Sequence, residues 1–200
     1  MTEVFLVLHG TGGNKPDHWQ EHLVRELREL GKDVRYPQMP EPNAPELDPW
    51  MAALHRELDA VADDAALTVL AHSRGCILWM HHACMAAAGE KHGPQAERAL
   101  LVAPPYRTSE ISPTPPSKFF PAPLSAEGIA ALSRQTAIVA SDDDEFSTYE
   151  QAEGYAAALG IPIYKLSGAG HISPFYGYGK WPWVVDWCLG GADLPPLPNR

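Results

Sequence analysis

A chain of 200 residues that is 45% hydrophobic is long enough to bury a substantial core and falls within the size of one domain. Its formal charge of -10 argues against nucleic-acid backbones and anionic membrane surfaces as partners, since both attract a positive face. No run of about 18 apolar residues is present to span a bilayer, and "VFLVL" near the start is too short for a signal segment, so a soluble, cytoplasmic protein is expected.

The three cysteines, Cys76, Cys84 and Cys188, have no C-x-x-C spacing. An odd number without that spacing fits a reducing compartment and free thiols. Proline is over-represented, with 20 residues where an average usage of about 5% predicts half as many. The prolines gather in residues 37–49, 104–123 and 195–198, which read as loops inside one continuous alternation of apolar segments.

In chain order, "EVFLVLHG" predicts a buried strand ending in glycine. "HWQEHLVRELRELG" places Trp19, Leu23, Leu27 and Leu30 near helical spacing and stops at Gly31. "DVRYP" is a second, shorter strand. "DPWMAALHRELDAVADD" predicts a helix with Asp48 as its cap and Pro49 at its first position. The strand "ALTVLA" follows, then a mostly apolar helix, "CILWMHHACMAAAG", and the strand "RALLVAP". Residues 104–127 form a long proline-rich loop, a candidate lid with Tyr106, Phe119 and Phe120. Strand "QTAIVAS", helix "TYEQAEGYAAALG", strand "IPIYKL" and a last helix around "WPWVVDWCL" complete the series, before a proline-rich tail over 192–200.

Strands alternating with helices require crossover connections. The expected fold is therefore α/β, three-layered, with a mainly parallel sheet covered on both faces and no separate cap domain. Ligands of such sheets bind at the carboxyl ends of the strands. Three of those ends carry polar groups: Ser73 after "ALTVLA", the cluster Asp142, Asp143 and Asp144 after "QTAIVAS", and His171 after "IPIYKL". A serine hydroxyl is a poor nucleophile at neutral pH. It needs a base within hydrogen-bond reach and an acid to fix the base's tautomer, and all three parts occur in the order Ser, Asp, His.

"AHSRG" is a strand running into a helix through small residues around a serine, the pattern of a nucleophile elbow, G-x-S-x-G, with Ala71 at the first small position and Gly75 at the second. The elbow aims the Ser73 hydroxyl and the Arg74 backbone N–H into one space. "HGTGGN" after the first strand offers a second oxyanion donor at Gly10 or Thr11. On residues alone, any of the three aspartates qualifies as the acid.

"HGTGGNKPDHWQEHL", "AHSRGC", "ASDDDEF" and "GAGHIS" resemble, in order, segments of the RBBP9/YdeN-type small serine hydrolases of the α/β-hydrolase fold, and the likeness covers nearly the whole chain. The resemblance implies Ser73 as nucleophile and His171 as base. It implies Asp144 as acid, followed by Glu145, where that family usually has proline, and by Phe146. The expected chemistry is cleavage of an ester or amide with a small acyl group, in the manner of a carboxylesterase, without a cofactor. Tyr106, Phe119, Tyr176 and Trp181 are candidates for lining the substrate pocket.

Other readings are weaker. His18 and His22 lie four apart but lack the glutamate of H-E-x-x-H, and the adjacent His81 and His82 point apart on a helix, so no metal site is expected. The spacing of "HGTGGNK" is not that of a phosphate loop. His72 reads as a packing or orienting group, and Cys76 as a small core residue. An aspartate where Ser73 stands would be needed for dehalogenase chemistry. The competing class is a protein-binding module on a hydrolase scaffold, since fold does not dictate function and a branch of the resembled family is named for binding a retinoblastoma protein. The L-x-C-x-E peptide usual for such binding is absent from the chain.

Overall fold

The computed structural model describes residues 2–106 and 117–191. Six strands pair in the order β2-β1-β3-β4-β5-β6, every pair parallel. They are β1 (Glu3–Leu8), β2 (Asp33–Arg35), β3 (Ala66–His72), β4 (Ala96–Val102), β5 (Ser133–Ser141) and β6 (Ile163–Leu166). The helices are α1 (Trp19–Glu29), α2 (Leu47–Asp59), α3 (Arg74–Ala87), α4 (Ala126–Leu132), α5 (Tyr149–Leu159) and α6 (Pro182–Cys188). No helix among the described residues is long and apolar enough to cross a membrane.

Alternation along each strand divides the core between two faces. Val4, Leu6 and Leu8 of β1 join the cluster under α2, α3, α4 and α5. Phe5 and Val7 point the other way, into a cluster with Trp19, Leu23 and Leu27 of α1 and Trp183, Val184 and Trp187 of α6. The expected three-layer arrangement, sheet between helices, is thus what the chain forms. The three cysteines are unpaired, and Cys76 and Cys188 are buried.

Local differences have local causes. α2 starts one residue before Asp48, with Glu46 as a cap that makes no side-chain bond, and the Asp48 carboxylate instead meets the Lys118 ammonium. The candidate lid loop is shorter than expected, because α4 begins inside it, with Ser125 accepting from the Gly128 N–H at 3.0 Å, and β5 begins two residues early at Ser133. Residues 107–116 of that loop and the tail at 192–200 lie outside the described residues.

Gly128 lets α4 lie against α3. A Cβ on it would stand 1.9 Å from the Ala83 carbonyl oxygen, a main-chain atom that cannot rotate aside. Helix propensity favours alanine by about 1 kcal/mol, yet Gly128→Ala is expected to lower stability by about 1–3 kcal/mol because overpacking against backbone outweighs propensity. Urea denaturation measures this, and unchanged stability would show that the two helices are not so closely seated.

Candidate active site

Strand order reverses beside β1, which has β2 on one side and β3 on the other, and in open α/β sheets a crevice forms at such a point. The loops that follow β1, β3, β5 and β6 all contribute residues to it. Ser73, between β3 and α3, has φ 53° and ψ -122°, outside the ordinary regions for a side-chain-bearing residue. Such a conformation costs on the order of 1–3 kcal/mol and persists only where neighbours enforce it. Here the Ser73 N–H donates to the Val102 carbonyl at 2.9 Å and the Ser73 carbonyl accepts from the Cys76 N–H at 2.9 Å.

Close backbone approach explains the small residues. A Cβ on Gly75 would come within 2.6 Å of the Leu8 carbonyl oxygen, so α3 can start against the end of β1 only with glycine there. A Cβ on Gly10 would stand 2.7 Å from Ser73 Cβ and 3.1 Å from its Oγ. The Gly10 carbonyl is pinned by the His9 Nδ1–H at 2.6 Å, while His9 Nε2 accepts from the Met39 N–H at 2.9 Å. Among the described residues, neither the Gly10 nor the Thr11 backbone N–H meets an acceptor. The Arg74 side chain crosses the mouth, donating to Thr11 Oγ1 at 2.9 Å and Ser117 Oγ at 3.3 Å.

His171 Nδ1 lies 2.8 Å from Asp144 Oδ2, and its Nε2 lies 2.8 Å from Ser73 Oγ. A carboxylate only accepts, so Nδ1 turns its N–H to Asp144, which leaves Nε2 facing the Ser73 hydroxyl as the acceptor. The three consecutive aspartates divide the work along the histidine loop. Asp142 Oδ1 accepts from the Gly168 N–H at 2.8 Å, Asp143 Oδ1 from the Gly170 N–H at 2.7 Å and the Ser141 hydroxyl at 2.6 Å, and Asp144 receives His171. The Gly168 N–H is also the leading reason why the Asp142 carboxyl is held below its usual range. The geometry therefore separates three residues that their sequence pattern leaves equivalent.

Beyond this row, the Phe146 ring lies 4.5 Å from the His171 ring. The His72 Nε2–H donates to the His171 carbonyl at 3.0 Å, tying the histidine loop to the end of β3. Burial keeps His72 neutral, pushing its pKa well below the ordinary value. The Trp19 indole N–H donates to the Ile172 carbonyl at 3.1 Å, holding the residue after the histidine at its unusual φ of 46°. His18 caps α1 by accepting from the Gln20 N–H at 3.2 Å.

These groups open into a cavity of about 620 Å³. Ser73, His171, Gly10, Thr11, Arg74, Tyr106 and Tyr176 line it. Phe119 and Trp181 do not. Phe119 is fully buried against Trp50, with ring centroids 5.4 Å apart, and its neighbour Phe120 faces the cavity instead. Trp181 is buried beside Trp19, Tyr178 and Trp183 on the far side of the histidine loop. Sequence reasoning missed His18, Lys15, Glu145, Phe146 and Phe175 as lining residues. The proximity of Glu145 and Phe146 to the aspartate cluster was the available signal for two of them.

The fold and this crevice define the α/β-hydrolase class. Residues 5–188 match the family model described as serine hydrolase, and the chain belongs to that family. The protein YdeN of Bacillus subtilis (strain 168) is 21% identical over 186 residues, covering 93% of this chain and 94% of YdeN. The crystal structure of the B. subtilis ydeN gene product superposes with a TM-score of 0.78, over 95% of this chain and 98% of that one, at 21% identity. A YdeN-like protein from Pectobacterium atrosepticum gives 0.70 at 22% identity, over 93% and 88%. The type II thioesterase BorB of the borrelidin cluster gives 0.62 at 18% identity, over 96% and 93%.

Proposed function

We propose that this hydrolase is a carboxylesterase-like enzyme that cleaves small acyl esters through an acyl-enzyme intermediate, with Ser73 as nucleophile, His171 as base and Asp144 as acid. The observation that supports it most is the continuous line from Asp144 through His171 to Ser73, with both hydrogen bonds at 2.8 Å. The Ser73 turn fits a nucleophile elbow, in which strain holds the hydroxyl clear of the sheet.

In this reading His171 Nε2 takes the hydroxyl proton as Ser73 Oγ bonds to the substrate carbonyl carbon. Negative charge gathers on the carbonyl oxygen, facing the Arg74 N–H at the start of α3 and the N–H of Gly10 or Thr11. Preorganised donors of this kind lower the barrier because they need no reorientation as charge develops. The imidazolium, held by Asp144, returns the proton to the departing alkoxide. Water, deprotonated by the same His171, then releases the acyl group from Ser73. No step calls for a cofactor. The chain acts as one catalytic domain in the cytoplasm, and among the described residues no separate cap domain stands over the sheet.

The test is labelling of the folded protein by a fluorophosphonate at neutral pH, followed by peptide mass spectrometry. A stoichiometric adduct on Ser73 is expected. Folded protein that takes up no probe, or takes it up elsewhere, would overturn the assignment and leave the protein-binding reading as the better one.

A further inference from the structure

We propose that the substrate of this site carries an anionic group, a carboxylate on its acyl or alcohol side, received by Lys15. The inference deepens the esterase reading by naming a substrate class.

Lys15 is placed by the chain around it. The Gly12 N–H donates to the Pro42 carbonyl at 2.8 Å, the Gly13 N–H to the Gly10 carbonyl at 3.4 Å, and the Lys15 carbonyl accepts from the His18 N–H at 3.0 Å. The loop that carries the lysine is thereby tied down at both ends. Gly12, at φ 92°, has no side chain, and the Lys15 stem occupies that space: Cε is 2.9 Å and Nζ 3.1 Å from where a Gly12 Cβ would stand. The stem thus folds back over the loop, and Lys15 lines the cavity that contains Ser73 and His171. Its charge is felt inside, since it is the second cause, after burial, of the low pKa of His18.

Among the described residues, the Lys15 ammonium has no hydrogen-bond or ion-pair partner. Of the acidic side chains beside His171, Asp144 holds the ring, and Glu145, which lines the cavity, accepts from the Tyr176 hydroxyl at 3.0 Å. A chain of net charge -10 repels anions at long range. Salt screens that field within roughly 8–10 Å, so at the cavity mouth a near, unpaired ammonium outweighs the distant surface. Tyr106, Phe120 and Phe146 give the cavity an apolar wall, which suits the uncharged body of such an ester.

The experiment uses Ser73→Ala protein, so that binding is read without turnover, and compares anionic esters with neutral ones by calorimetry. Monophenyl glutarate carries the charge on the acyl side and 4-acetoxybenzoate on the alcohol side; phenyl butyrate and phenyl acetate are their neutral references. Roughly tenfold tighter binding of at least one anionic ester is expected, and the arm that shows it identifies the side facing Lys15. The preference should fall with added salt, disappear in the Ser73→Ala/Lys15→Ala protein and survive with Lys15→Arg. Equal affinities for charged and neutral esters, or a preference unmoved by Lys15→Ala, would overturn the proposal. Failure of the esterase reading looks different: the binding preference is present while the wild-type protein turns over none of the four esters.

Discussion

Ser73→Ala is expected to reduce ester turnover by about a million-fold, to the level of background, and Asp144→Asn by about ten-thousand-fold. The asymmetry follows from what each group does. Removing Oγ removes the atom that bonds to carbon. An asparagine at 144 still meets His171 Nδ1, at the position where Oδ2 now lies at 2.8 Å, but its amide can donate there, favouring the tautomer with the proton on Nε2. That ring cannot accept from Ser73. Asp143→Asn is the informative control, because its oxygen only accepts, from Gly170 and Ser141, and an amide oxygen accepts equally well. It should lose less than tenfold. Steady-state kinetics with a chromogenic ester on all three variants checks the series, and an Asp143→Asn loss as large as that of Asp144→Asn would move the acid from 144 to 143.

The same three aspartates mark how far sequence reading reaches. Alternation of strands and helices is a property of runs of residues, so the sheet and its two covered faces were readable from period alone. That polar groups gather at strand ends was readable too, because a parallel sheet brings those ends to one edge. Which side chain meets which was not. Neighbouring residues in an irregular loop point in directions set by distant contacts: Phe119 turns to Trp50 across the chain while Phe120 faces the cavity. Trp181 follows His171 closely in sequence, yet packs with Trp19 behind the loop, where aromatic area is best buried. α4 has only seven residues and gave too little periodicity to separate it from the proline-rich loop. His18 and Trp19 lie within "HGTGGNKPDHWQEHL", one of the segments that carry the resemblance; their physical role, a cap and a hold on the Ile172 carbonyl, needs the third dimension.

Acid should destabilise this protein steeply, and the cause is a set of histidines buried in the neutral form. Burial lowers the pKa of His9 and His72 and brings those of His18 and His82 down to about 3. Unfolded, each takes up a proton near pH 6.5. The unfolded chain therefore binds more protons than the fold below that pH, and stability, fully present above it, is lost as pH falls toward 3. At pH 5 His18 and His82 each cost about 2 kcal/mol relative to neutral pH, a large share of a typical 5–15 kcal/mol. His82 isolates the effect, because it lies away from the proposed catalytic residues, among His55, His92 and Trp79, with Asp59 bound to His92. Among the described residues, neither of its ring nitrogens has a hydrogen-bond partner. His82→Leu should thus raise stability by about 2 kcal/mol more at pH 5 than at pH 7.5, measured by urea denaturation at the two pH values. An equal change at both would mean that His82 does not resist protonation in the fold, and the acid sensitivity would then have to come from the histidines around Ser73.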